Sequence, residues 1–221
     1  MEISSVYNEV ELHILALFIG KEHFDKVRDF LFEIKRRKEA SNVLLAKNLS
    51  ENGYEIDYEK VKANAVGSIN RVNFANELIN GGYISSVKEG LETILSEKHG
   101  FYVPPKRYTA FEVIEFIRSI GAIPVLAHPL LRLSRQELSP FIEQAKNYGL
   151  VAMETRYSTY TQQEQAFSIE IAKKHDLLES GGSDFHGENK PDIKIGEGKG
   201  GLAVPYELVE NMKNHMAKNR G

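Results

Sequence analysis

The chain has 221 residues, enough for one large domain or a domain with an inserted subdomain, and carries a formal charge of −3 with no cysteine. That charge argues against a general polyanion-binding surface, which needs clustered excess Lys and Arg, though local basic pockets remain open. Without thiols there is neither a disulfide framework nor a thiolate zinc site, so any metal must be held by His, Asp or Glu, a donor set that suits Mn, Fe or Zn.

Residues 1–19 read as two strands, Met1–Tyr7 and Val10–Ile19, around a polar turn at Asn8-Glu9. From about 22 to 100 the apolar residues recur at helical spacing, in Phe24–Glu39, Val43–Asn52, Tyr58–Ala65, Ser68–Asn80 and Val87–Ser96. From Pro104 onward helices and strands alternate: helix 109–120, strand Ile123–Ala127, helix 135–148, strand Val151–Thr155, helix 161–174, strand Leu177–Gly181, a Gly-rich loop, and a last helix near 205–217. Such alternation implies parallel βα units, and the helical block reads as an insertion capping a barrel or sheet. No apolar run approaches the roughly 20 residues that span a bilayer, and the N-terminus lacks a signal-peptide pattern, which predicts a soluble cytoplasmic protein.

The candidate ligands sit where apolar runs break into turns, as chemistry at the carboxyl ends of strands requires. His128 follows the buried run Ile123–Ala127 and precedes Pro129, which turns the chain out of the strand direction. A histidine simply hydrogen-bonded at a strand end is the competing reading. Asp184 and His186 stand at i and i+2 after a strand, so in extended chain both point to one side, and the flanking glycines let backbone come close to a ligand. Ser183-Asp184 also reads as a helix cap or turn. If the hairpin turns at Asn8-Glu9, Glu2 lies opposite about residue 15, and His13 is its diagonal neighbour about 7–8 Å away on the same face. A one-residue slip of register would separate them. His23, His99, His175 and His215 read as solvated, and Glu154 reads as a simple strand-end carboxylate in preference to a support for a ligand.

Taken together, Met1-Glu2-Ile3-Ser4, Glu11-Leu12-His13-Ile14-Leu15, Arg71-x-x-Phe74-Ala75, Val125-Leu126-Ala127-His128-Pro129 and Gly182-Ser183-Asp184-Phe185-His186-Gly187 resemble the PHP (polymerase and histidinol phosphatase) superfamily. The similarity is to its branch of nucleoside 3′,5′-bisphosphate phosphatases and 5′-to-3′ exoribonucleases, and it covers essentially the whole chain. It implies an α/β fold in which residues 1–20 and 101–221 form an incomplete, distorted (β/α)7 barrel and residues 21–100 an all-helical insertion. It also implies that Glu2 is a bridging carboxylate, that His13 and His128 hold one metal, and that Asp184 and His186 serve the others. Arg71 matches the insertion's phosphate-binding arginine, and Lys106 and Arg107 are further candidates for gripping phosphate. For each of the three a solvated surface charge is the competing reading, and Arg36-Arg37-Lys38 reads as an exposed helix face.

The chain departs from the family pattern at two places. The family's opening His-x-His, the Asp after it and an Asp-His on the next strand supply four ligands, and this chain contains none of them, as though it began at the third strand. A misassigned start, a fragment and a genuine truncation all fit. Asn73 stands where the family has a His two residues after the Arg. The resemblance therefore implies a phosphoesterase acting on nucleotides or RNA ends, with one to three Mn, Fe or Zn ions, as few as one here, and with impaired turnover. The alternatives are a non-catalytic remnant binding a metal or phosphorylated ligand, and an accessory or scaffold domain. An incomplete barrel would expose sheet edges, so a homo-oligomer is also expected.

Overall fold

The computed structural model describes residues 1–65 and 67–218. It divides into two compact units, Met1–Lys26 together with the chain from Arg107 onward, and Val27–Lys106.

The chain opens with a hairpin of β1 (Glu2–Tyr7) and β2 (Val10–Leu17). Asn8 and Glu9 have φ of 46° and 67°, the left-handed pair of a two-residue turn whose twist matches that of the flanking strands. The turn sets the register Glu2↔Leu15, Ser4↔His13 and Tyr7↔Val10. Ile3, Ser5, Leu12, Ile14 and Ala16 are buried on one face of the hairpin, which leaves Glu2 and His13 together on the other. The register expected from the turn is the one observed.

The second unit is helical. Its elements are α1 (Phe24–Glu51), α2 (Tyr58–Ala63), α3 (Arg71–Asn80) and α4 (Val87–Glu92), packed around Leu45, Leu49, Val61, Phe74, Leu78 and Leu95. Where the sequence predicts two helices, 24–39 and 43–52, α1 runs unbroken. Neither Gly nor Pro interrupts residues 40–42, and a lone Asn costs a helix well under about 1 kcal/mol. α3 starts at Arg71 rather than Ser68 because Asn70 caps it: the Asn70 side chain accepts from Val72 N–H, and Asn73 Oδ1 accepts from Asn70 N–H at 2.9 Å. Asn73 thus has a structural task in this chain.

The first unit resumes with α5 (Ala110–Ser119), β3 (Ile123–Leu126), α6 (Arg135–Tyr148), β4 (Ala152–Tyr157), α7 (Gln162–Lys174), β5 (Leu178–Gly182) and α8 (Glu207–Lys218). The three helices α5, α6 and α7 each begin in a reciprocal capping box, Thr109 with Glu112, Ser134 with Glu137 and Thr161 with Glu164. The five strands form one mixed sheet in sequence order, antiparallel through β1-β2-β3 and parallel through β3-β4-β5. The sequence-predicted strand Val151–Thr155 extends two residues further. A bulge between Glu154 and Arg156 shifts the register there. β3 is buried along its whole length, and its Ile123 and Val125 share a core cluster with Ala152 of β4 and Met212 of α8. Among the described residues no helix is long and apolar enough to cross a membrane.

Candidate metal centre

The site is assembled from chain ends of the sheet. Glu2 Oε1 lies 2.7 Å from His13 Nδ1 and 3.3 Å from His128 Nε2, so one carboxylate oxygen meets two imidazoles. The rings of His13 and His128 meet edge to face with centroids 5.0 Å apart. On its far side, His13 Nε2 lies 3.3 Å from both Glu11 Oε1 and Ser4 Oγ, and Glu11 is in turn paired with Arg107. The two histidines hold the Glu2 carboxyl well below the usual carboxylate range, and the Glu2 hydrogen bond raises the pKa of His13.

His128 and Asp184 both occupy the left-handed region, at φ 28° and 54°. Such residues cost about 1–3 kcal/mol each and persist only where surrounding structure over-determines them, characteristically at active sites. The supports are visible. The buried Glu154 carboxylate accepts from the His128 backbone N–H at 2.8 Å, and a Cβ on Gly182 would stand 2.8 Å from the other Glu154 oxygen. Tyr157 donates its hydroxyl to Asp184 Oδ2 at 2.6 Å, and Lys190 Nζ reaches the same oxygen at 2.6 Å. His186 Nδ1 lies 3.1 Å from Asp184 Oδ1. The bulge in β4 explains why Glu154 and Tyr157, three residues apart, both serve this site, since an unbroken strand would point them to opposite faces. Burial, together with the charges of Asp184 and Glu2, pushes Glu154 up to about 8.

Glu2, His128, Glu154, Asp184 and His186 line one cavity of about 270 Å³, which also takes in Phe185 and the glycines that end β5. Two sets of donors meet at Glu2, one with His13 and His128 and one with Asp184 and His186, the donor atoms of each set lying within 4.8 Å of one another. Two imidazoles and a carboxylate are a fitting donor set for Mn, Fe or Zn. Buried His128 Nδ1 has no hydrogen-bond partner, an unusual state for a buried polar atom outside a functional site. The residues present therefore fit a divalent ion.

The five sequence-predicted ligands, Glu2, His13, His128, Asp184 and His186, are thus brought together. The phosphate candidates are placed differently. Arg107 is exposed and paired with Glu11, and Lys106 is exposed. Arg71 lies in the helical unit, with its guanidinium 4.5 Å from the Tyr102 ring centre and a hydrogen bond to the Leu95 carbonyl. Two sequence expectations are corrected. His175 is buried rather than solvated, because it ends α7 against α6 and its Nε2 lies 2.9 Å from Ser139 Oγ. Glu154 is a buried support of His128 rather than a simple strand-end carboxylate. Tyr157 and Lys190 escape the sequence reading: Tyr157 reaches the site only through the bulge, and Lys190 only through the fold of the loop after His186.

Comparison with known proteins decides the ancestry. No family model matches the chain. The 5′-3′ exoribonuclease Rnm of Escherichia coli is 30% identical over 219 residues, covering 97% of this chain and 74% of the relative, and its Salmonella typhimurium counterpart is 30% identical over 198 residues, covering 89% and 67%. The chain belongs to this PHP family of 5′-3′ exoribonucleases. The Haemophilus influenzae 5′-3′ exoribonuclease is 28% identical over 84% of the chain and 68% of its own length. Two solved structures share the fold. One is a protein from Bifidobacterium adolescentis assigned as a metal-dependent phosphoesterase, with a TM-score of 0.63, 24% identity and coverage of 95% of this chain and 73% of its own. The other is an amidohydrolase from Chromobacterium violaceum with bound sulfate, with a TM-score of 0.66, 18% identity and coverage of 97% and 75%.

Proposed function

We propose that this chain is a divalent-metal phosphoesterase acting on RNA 5′ ends or nucleotides, with Glu2, His13, His128, Asp184 and His186 as its metal ligands. The observation that carries the reading is that donor atoms of Glu2, His13 and His128 lie within 4.8 Å of one another, in a chain related to exoribonucleases. In this reading the sheet unit is a partial PHP barrel, residues 1–20 and 101–221, and residues 21–100 are its helical insertion. Arg71, Lys106 and Arg107 are the phosphate-binding residues, since guanidinium and ammonium groups suit phosphate oxygens. A bound Mn, Fe or Zn ion would supply hydroxide near neutral pH and neutralise charge developing on the phosphate. The chain's own groups do the rest: Glu2 orients both imidazoles, Glu154 fixes the backbone of His128, and Tyr157 aims Asp184. Self-association through exposed apolar side chains such as Ile195 and Tyr206 belongs to the same reading.

A 5′-phosphorylated RNA oligonucleotide incubated with Mn²⁺ should release nucleotides from its 5′ end, and His128→Ala should lower that rate by at least about 100-fold. Hydrolysis unchanged in His128→Ala, or none by the unaltered chain, contradicts the catalytic reading.

A further inference from the structure

The cavity at the candidate metal centre has two kinds of wall. The candidate ligands and Glu154 supply a polar one, whereas Leu15, Leu17, Ala127 and Phe185 supply an apolar one. Leu15 and Leu17 follow His13 at every second position of β2 and so share its face of the strand. Phe185 differs from these in being 47% exposed, although its chain neighbours on either side, Asp184 and His186, are both candidate ligands.

The chain that carries this ring is held on both sides. The Ser183 carbonyl accepts from the Ser158 hydroxyl at 2.6 Å, the Asp184 carboxylate accepts from Tyr157 and Lys190, and the His186 carbonyl accepts from Asn189 N–H at 3.2 Å. Among the described residues the Phe185 ring meets no other aromatic ring. A large flat side chain with only two torsions, set on pinned backbone, loses little freedom when a ligand covers it. The aromatic residues that are more than half exposed, Phe24, Phe32 and Tyr206, lie outside the lining of this cavity. An open aromatic face beside a candidate metal centre suits a ligand that carries both a phosphate and a flat ring. Nucleobases stack on such faces, and stacking tolerates any sequence because every base has a π-face. An enzyme that removes nucleotides in succession from a 5′ end meets all four bases, a task that suits a platform reading none of them by hydrogen bonds.

We propose that Phe185 is the platform on which the nucleobase of the 5′-terminal nucleotide stacks while the phosphate ester faces the candidate ligands, so that the site selects nucleotides over other phosphate esters without discriminating among the bases. This inference rests on the phosphoesterase reading proposed above and deepens it, because it names what the substrate must carry besides its phosphate.

The sequence has no tryptophan, so Phe185→Trp places a single fluorescent reporter at the platform. With Mn²⁺ present, its emission should be quenched by adenosine 5′-phosphate and by uridine 5′-phosphate and not by ribose 5-phosphate, whereas Tyr206→Trp, outside the cavity, should respond to none of them. In calorimetric titrations Phe185→Leu, which keeps apolar bulk and removes the ring, should bind adenosine 5′-phosphate about 5- to 100-fold more weakly than the unaltered chain and ribose 5-phosphate equally well. Phe185→Tyr should match the unaltered chain with both compounds. Equal affinity of the unaltered chain for the nucleotide and the sugar phosphate, undiminished nucleotide affinity in Phe185→Leu, or equal quenching of the two tryptophan variants overturns the platform and leaves the phosphoesterase reading standing. Failure of the unaltered chain to bind either compound also overturns it, and hydrolysis of 5′-phosphorylated RNA then tests the phosphoesterase reading by itself.

Discussion

Glu154 shows how a single buried carboxyl organises the site. Its side chain is buried, and with its pKa pushed up to about 8 the folded protein prefers the neutral acid, which still accepts the His128 N–H through its carbonyl oxygen. For an acid whose folded pKa is raised, the stability contribution is fully present below the unfolded value near 4.5 and is lost as pH rises through about 8. Glu154→Gln, which keeps the acceptor and cannot ionise, should therefore flatten this part of the pH profile and leave the metal-free protein more stable at pH 8 by on the order of 1–3 kcal/mol. Glu154→Ala should cost about 1–3 kcal/mol at every pH, because the buried His128 N–H loses its partner. Urea unfolding with chelator present, followed from pH 5 to 9, separates the two, and parallel pH profiles for Glu154→Gln and the parent would contradict the assignment.

At the scale of elements, the hairpin decides whether Glu2 meets His13 at all. Its turn places a non-glycine residue, Glu9, at φ 67°, a conformation that costs an L-residue about 1 kcal/mol and glycine almost nothing. Glu9→Gly should stabilise the protein by about 0.5–1 kcal/mol, seen as a higher urea midpoint at unchanged slope, without moving the register that pairs Ser4 with His13. A lower midpoint would show that the turn is not the one described.

The strands and turn of this hairpin are legible in the sequence, whereas its register stays open there and is settled in the fold by the burial of Leu12, Ile14 and Ile3 together. His128 was legible for a related reason, an apolar run broken by His-Pro. The β4 bulge was not. Alternation in Ala152–Tyr157 gives no sign of an extra residue, so the sequence shows neither the full strand nor the joint role of Glu154 and Tyr157. The continuity of α1 was missed because polarity at Ser41 and Asn42 looks like a break; in the fold both are buried, and Ser41 donates to the Val103 carbonyl.

For the whole molecule, the sheet unit and the helical unit each have their own core, and the candidate metal centre belongs wholly to the sheet unit. Its candidate ligands come from three stretches of chain: Glu2 and His13 from the hairpin, His128 from the end of β3, and Asp184 and His186 from the loop after β5. An ion bound there links segments separated by more than a hundred residues and is expected to stabilise the native state by mass action, about 2.7 kcal/mol at a hundredfold excess over its dissociation constant. Because His13 has a raised pKa while paired with Glu2, ion binding must displace its proton, so affinity should climb with pH until His13 is neutral without the ion.

Calorimetric titration of Mn²⁺ into the chain and into His128→Ala, repeated in two buffers of different ionisation enthalpy near pH 6.5, tests the central claim most directly. The account predicts saturable binding with proton release by the unaltered chain and an affinity at least about 100-fold weaker in His128→Ala. Binding of equal strength in both proteins, or none in the unaltered chain, would contradict a metal centre built on Glu2, His13 and His128.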